Sequence, residues 1–280
     1  MVLEACWSSA PPTPPVSVPV TPAPVPFTDA VISGRVLLDG MLVPEIAIGW
    51  MMPSVFPIKG AVTTQTKGRF ELHLPPGTWT LLIAGPGFAR TVLPDRVLDA
   101  GSVTDLGEIT PRRGFTISGD VTDTNGHPAP DAEVSVRNSR RLSAEDPLIA
   151  RLHGDFVTST DKRGRYRLDG VTHLEVDRRA TLSARRPDID AIMPQMIPAG
   201  NLTQNIVLQP SGTIAGTAPG PDGSVFVYSV TPPGLVFADV RNGTFEVRDL
   251  PAGTYSVVVG RLGSKQVTVV ANQASSVQFP

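Results

Sequence analysis

Residues 64–85 read TQTKGRFELHLPPGTWTLLIAG, and the fold is decided by how this stretch is read. A polar turn ends in Gly68, and Phe70 follows with one residue between. From there Phe70, Leu72 and Leu74 alternate with Arg69, Glu71 and His73. That is the two-residue period of a strand with one buried and one wet face. Pro75-Pro76-Gly77 breaks the run, and Trp79, Leu81 and Ile83 resume it. The pattern recurs at residues 241–260, RNGTFEVRDLPAGTYSVVVG, with Gly243, Phe245, Gly253 and Tyr255 in the corresponding places. A partial copy at residues 160–168, TDKRGRYRL, keeps Gly164 and Tyr166, but Val171-Thr172-His173 replaces the Pro-x-Gly-Thr turn.

Working outward, each copy is preceded by a matching opening. Ile32-Ser33-Gly34-Arg35-Val36 is echoed by Ile117-Ser118-Gly119-Asp120-Val121, and more loosely by Ile214-Ala215-Gly216. Ile46, Ile48 and Trp50 alternate, as do residues 133–137, and Asn125-Gly126 marks a hairpin turn. Many short strands at frequent turn signals predict an all-β protein of three tandem antiparallel Greek-key sandwiches. The expected units are 29–111, 112–210 with an insertion at 138–155, and 211–280. Leu148, Ile149 and Leu152 in the insertion suit one or two helical turns against the sandwich edge. Met193 and Met196 suit a small apolar cover. Short connections at 111–114 and 210–211 predict a stiff string.

Composition narrows the function classes. A net charge of −2 lacks the basic surplus of a nucleic-acid binder, and 41 % hydrophobic residues suffice for packed cores. The 26 glycines and 29 prolines match a protein of many turns. No run reaches the roughly 18 apolar residues that cross a bilayer as a helix. The single cysteine, Cys6, excludes an intramolecular disulfide.

Residues 1–28 read as a disordered, proline-rich tether, with PPTPPVSVPVTPAPVP at 11–26 favouring extended polyproline conformations. Leu3-Glu4-Ala5-Cys6 resembles a bacterial lipobox, which implies lipidation of Cys6 and a place in the cell envelope or outside the cell. Glu4 departs from the small residue usual there, and a signal peptide's basic and apolar regions are missing before it.

No catalytic constellation stands out. His73, His127, His153 and His173 fall on different turns and predict no metal site. Asp188 and Asp190 read as a solvated loop rather than a cation pair. The pairs Arg140-Arg141, Arg178-Arg179 and Arg185-Arg186 read as surface charge. Trp50, Trp79, Phe70, Phe245 and Tyr255 alternate in phase with aliphatic residues, which places them in cores. Tyr228, Phe237 and Trp7 are left as loosely placed aromatics, too few for a sugar-stacking platform. No cofactor is expected.

The repeats resemble carboxypeptidase regulatory-like domains, with their transthyretin- or prealbumin-like fold. The resemblance rests on the Ile-Ser-Gly-x-Val openings, the turn glycines before Phe70, Tyr166 and Phe245, and the Pro-x-Gly-Thr-aromatic turns at Gly77 and Gly253. It covers about residues 30–280. It implies a seven-stranded Greek-key sandwich in a non-catalytic, secreted or surface protein acting as an interaction module or spacer. Polysaccharide binding is the alternative that the resemblance implies. The partner expected is an unknown protein or polysaccharide at the cell surface. Some related adhesin domains carry a Lys–Asn crosslink, but no first-strand Lys stands here to form one.

Overall fold

The structure is a computed structural model that describes residues 28–53, 58–64, 67–137, 146–172, 181–230 and 233–280. Cys6, Trp7, the proline-rich segment, His173 and the pairs at 140–141 and 178–179 lie outside these residues. The first strands are β1 (Ala30–Leu38), β2 (Met41–Leu42), β3 (Ile46–Met51), β4 (Gly60–Thr64), β5 (Arg69–Leu74), β6 (Gly77–Gly85), β7 (Phe88–Leu98) and β8 (Val103–Ile109). A second set comprises β9 (Phe115–Thr122), β10 (Glu133–Arg137), helix α1 (Pro147–Leu152), β11 (Phe156–Ser159), β12 (Arg165–Val171), β13 (Thr181–Arg186), β14 (Asp190–Ala191), β15 (Gln195–Met196), β16 (Leu202–Thr203) and β17 (Ile206–Val207). The third comprises β18 (Gln209–Thr217), β19 (Gly223–Val230), β20 (Pro233–Val240), β21 (Thr244–Pro251), β22 (Gly253–Val259), β23 (Gly263–Val269) and β24 (Ala274–Gln278).

The chain is all-β, built of stacked, mainly antiparallel sheets, and the three sets share one plan. In each, the opening strand pairs antiparallel with the strand carrying the Gly-x-aromatic motif and parallel with strands at the end of the set: β1 with β5 and β8, β9 with β12, β16 and β17, β18 with β21 and β24. Facing them are the sheets β4-β3-β6-β7, β11-β10-β13 and β20-β19-β22-β23. Between the paired sheets lie apolar clusters around Ile32, Ile48 and Ile83, around Ile117, Val134 and Leu182, and around Ile214, Val227 and Val257.

The register explains why the motif has two halves. Gly34 stands directly opposite Phe70, Gly119 opposite Tyr166, and Gly216 opposite Phe245. A Cβ on Gly34 would meet the Phe70 ring at 2.9 Å, and one on Gly216 would meet the Phe245 ring at 2.3 Å. In both, the glycine makes room for the aromatic across the ladder. At Gly119 the crowding atom is the Gln204 carbonyl oxygen, 2.1 Å from such a Cβ, and the Tyr166 hydroxyl donates to that same oxygen.

The proline–glycine turns are closed by their aromatics. Trp79 Nε1 donates to the Pro75 carbonyl at 2.9 Å, and the Tyr255 hydroxyl donates to the Pro251 carbonyl at 2.6 Å. Burial pushes the Tyr255 pKa up to about 12, so the hydroxyl keeps its proton for that bond. Gly77 and Gly253 have φ of 149° and 159°, in a region that side chains avoid. A Cβ at either would have space, so a substitution is penalised by backbone conformation and not by a clash. Gly77→Val and Gly253→Val should each cost about 1–3 kcal/mol, read from urea unfolding midpoints. An unchanged midpoint would contradict the conformational requirement.

The sets are cemented together. Helix α1, capped by the Asp146 carboxylate, which accepts from Leu148 N at 2.8 Å, packs on the outer face of β3 and β6. It therefore lies on the first set's sheet and not only at the edge of its own. Leu152 joins Ala47, Met51, Leu82 and Ala84 in one buried cluster, which is why β3 and β6 are buried on both faces. Arg151 donates to the Asp169 carbonyl at 2.8 Å and the Gly85 carbonyl at 3.5 Å, and its guanidinium stands 5.1 Å over the Phe156 ring. Burial lowers its pKa, opposed by Asp169 and Glu45. The connecting residues are themselves bonded, since Ala89 N donates to Arg112 O and Gly114 N to Gly87 O. At the other junction, β14 pairs with β18, so the sheet containing β10 and β13 runs on into β18 and β21. Met193 is 1 % exposed and lies in the third set's cluster, against Gly234. It is a plug in the neighbouring core rather than a cover, while Met196 is 62 % exposed.

Candidate functional site

In β19, Val225 and Val227 point into the core, so Phe226 and Tyr228 point outward. In β22, Tyr255, Val257 and Val259 are buried, which leaves Ser256 and Val258 outside. The hairpin of β19 and β20 sets Phe237 opposite Phe226 and Leu235 opposite Tyr228. Two parallel rows result on one sheet face: Leu235, Tyr228, Ser256 and Gln266, then Phe237, Phe226, Val258 and Ser264. Phe226 and Phe237 meet edge to face, with ring centroids 5.1 Å apart. Tyr228 is 39 % exposed and Leu235 43 %, and Val230, one step further along β19, is 81 % exposed. Among the described residues, neither row contains a charged side chain.

The β20 edge of this face borders an open groove of about 1250 Å³. Its opposite wall is the outer face of β10 and β13, with Ser135 and Ser183 paired at its centre. Its charges are paired with one another. Arg185 donates to Asp249 at 2.7 Å and to Glu133 at 3.2 Å, and Arg248 to Glu246 at 3.0 Å. Burial works against the Arg185 charge, but its hydrogen bonds to both carboxylates outweigh it and raise the pKa. Leu235 and Phe237 belong to both the groove wall and the aromatic rows.

Other candidate residues are dispersed. His73 stands beside Glu71, His127 beside Asp123, and His153 at the end of α1, where burial lowers its pKa. Among the described residues no three histidine, cysteine, aspartate or glutamate side chains gather as a metal site would need. Asp190, read from sequence as a solvated residue, is buried and held by Arg186. Asp188 is exposed with φ of 60°, and its amide donates to Asp249. Trp50 and Trp79 are half-buried at the margin of the first core, whereas Phe70, Tyr166, Phe245 and Tyr255 are buried within theirs. Lys265 Nζ donates to the Gln278 carbonyl. In the sequence Phe226 sits within an apolar run, and only the hairpin register brings it beside Phe237.

No family model and no curated protein matches the chain. Among solved structures it is similar to the TIE protein of Bacillus anthracis, at 16 % identity and a TM-score of 0.28, covering 90 % of this chain and 50 % of that one. The chain thus spans about half the length of the TIE protein. It is similar also to the shaft pilin SpaA of Lactobacillus rhamnosus GG, at 15 % identity and 0.28, covering 66 % and 98 %. BcpA, the major pilin subunit of Bacillus cereus, shows 10 % identity and 0.24, covering 90 % and 99 %. At such scores these likenesses carry no weight here, and the fold rests on the sheets themselves.

Proposed function

We propose that this chain is a non-catalytic spacer and interaction module of the cell envelope, in which units 29–111, 112–210 and 211–280 act as one stiff body. The observation that carries this reading is the way neighbouring units share structure. Helix α1 of the second lies on the sheet of the first, and Met193 of the second fills the core of the third. Beads on a flexible string would have no use for such contacts. The groove's ion pairs, Arg185 with Asp249 and Glu133 and Arg248 with Glu246, suit a surface for contact. Cys6, if lipidated, would anchor the proline-rich tether and hold the body away from the membrane. Mass spectrometry of the native protein finding residue 6 unmodified would remove the anchor.

Trypsin tests the stiffness directly, because Arg112 and Arg113 lie in the first junction. If this segment is bonded to β7 as a structural element, limited digestion should spare it long after exposed sites elsewhere are cut. Early cleavage there, releasing the first unit, would contradict the reading.

A further inference from the structure

We propose that the docking of α1 on the first unit is acid-sensitive and that His153 makes it so: the neutral imidazole permits the docked arrangement and the imidazolium loosens it. This inference rests on the reading of the units as one stiff body and names a condition that relaxes it. His153 ends α1, and the Ala150 carbonyl accepts from its backbone N–H at 3.0 Å. It is half-buried, between the fully buried Leu152 and the buried Gly154 and Asp155. The strands against which α1 packs, β3, β4, β6 and β11, contain no charged residue. Charge at this corner therefore comes from the helix end and the segments beside it. Arg90 of β7 donates from Nη1 to the Leu152 carbonyl at 2.9 Å, across the junction. Arg151 spans the same junction from the other side, with Asp169 and Glu45 acting on it. Asp155 follows two residues after the imidazole.

A proton on His153 would join the Arg90 and Arg151 guanidiniums in a half-buried place. Burial disfavours the charged ring most, Asp155 opposes that effect and Arg90 adds to it, and the balance holds the pKa below its ordinary 6.5. The help that a helix C-terminus gives a cation is small here. α1 has six residues, and its last carbonyls are occupied: Ala150 accepts from His153 and Asp155, Arg151 from Gly154, and Leu152 from Arg90. Once α1 lifts from the sheet, the ring meets water and regains its ordinary affinity for protons. The undocked form then binds more protons than the docked one. Docking is therefore at full strength above about pH 6.5 and weakens as pH falls through the lowered pKa.

The test is hydrogen exchange of the full chain at about pH 7.5 and about pH 5, on either side of histidine's ordinary range, expressed as protection after correction for the intrinsic rate at each pH. Protection of α1, β3 and β6 should fall together at the lower pH, by at least about twofold, while β19 and β22 keep theirs. His153→Gln, which cannot take the charge, should abolish the fall. His127→Gln, at an exposed histidine beside Asp123, should leave it unchanged. The His153 ring resonance, identified by its absence in His153→Gln, should titrate with a midpoint below about 6.5. The proposal is overturned by equal protection of β3 and β6 at both pH values, by a fall that His153→Gln leaves intact, by one shared equally by β19 and β22, or by a midpoint at or above the ordinary value. If β3 and β6 stay protected at both pH values and trypsin spares Arg112 and Arg113, the stiff-body reading stands and only the acid response falls.

Discussion

Replacing Leu152 by alanine should destabilise the protein by about 2–5 kcal/mol, and the damage should be felt in the first unit. Leu152 is fully buried, and its Cδ1 would lie 3.1 Å from a Cβ on Gly49 of β3. Truncation leaves a cavity between α1 and two central strands, bounded by Ala47, Met51, Leu82 and Ala84. Those neighbours are small or held in a sheet, so the space cannot collapse easily. Hydrogen exchange locates the effect: amides of β3 and β6 should lose protection together with those of α1. Loss confined to α1 and its flanks would show that the helix is a passenger on the first unit. Arg151 works in the same place, but its bonds to carbonyls of both units are partly reproducible by water, so a smaller effect is expected from its removal.

Met193→Ala should produce an effect of similar size at the other junction, about 2–5 kcal/mol. The side chain is 1 % exposed, in a cluster with Ile214, Val227 and Phe245, and Gly234 of β20 packs against it closely enough that a Cβ there would stand 2.7 Å from Met193 Cβ. Because the plug comes from one unit and the socket from the next, its loss should lower protection in β19 and β22 as well as in β13. Protection lost only in β13 and β14 would mean that the third core is complete without it.

The three opening motifs and the three Gly-x-aromatic motifs were visible in the sequence as separate repeats. Structure joins them, since Gly34 faces Phe70 and Gly216 faces Phe245 across one ladder, and each half of the pattern makes sense only with the other. Contacts between units are not legible in the sequence. The alternation of Trp79, Leu81 and Ile83 gave one face of β6. Leu82 and Ala84, on the opposite face, carried the sign of a second buried side. Residues 148–152 showed helical character, but nothing in their order says which sheet they cover. Met193 had the composition of a cover, and its place as a plug depends on how far the sheet of β14 runs into β18. The candidate site was legible only in part. Tyr228 and Phe237 stood out as aromatics with no clear place, and cross-strand register makes them neighbours. That register passes through a hairpin without a two-residue Asn-Gly signature, so the pairing was not fixed by local turn chemistry.

The central claim is that residues beyond the tether form one stiff body, and a distance between its ends tests that most directly. Cys6 is the sole cysteine, so Cys6→Ser gives a background for two spin labels. Met41, 72 % exposed in the first unit, and Val270, 45 % exposed in the third, are suitable positions once changed to cysteine. Pulsed electron paramagnetic resonance should give a single narrow distance distribution, and adding Leu152→Asp should broaden it. A broad or multiple distribution in the otherwise intact protein would contradict the claim.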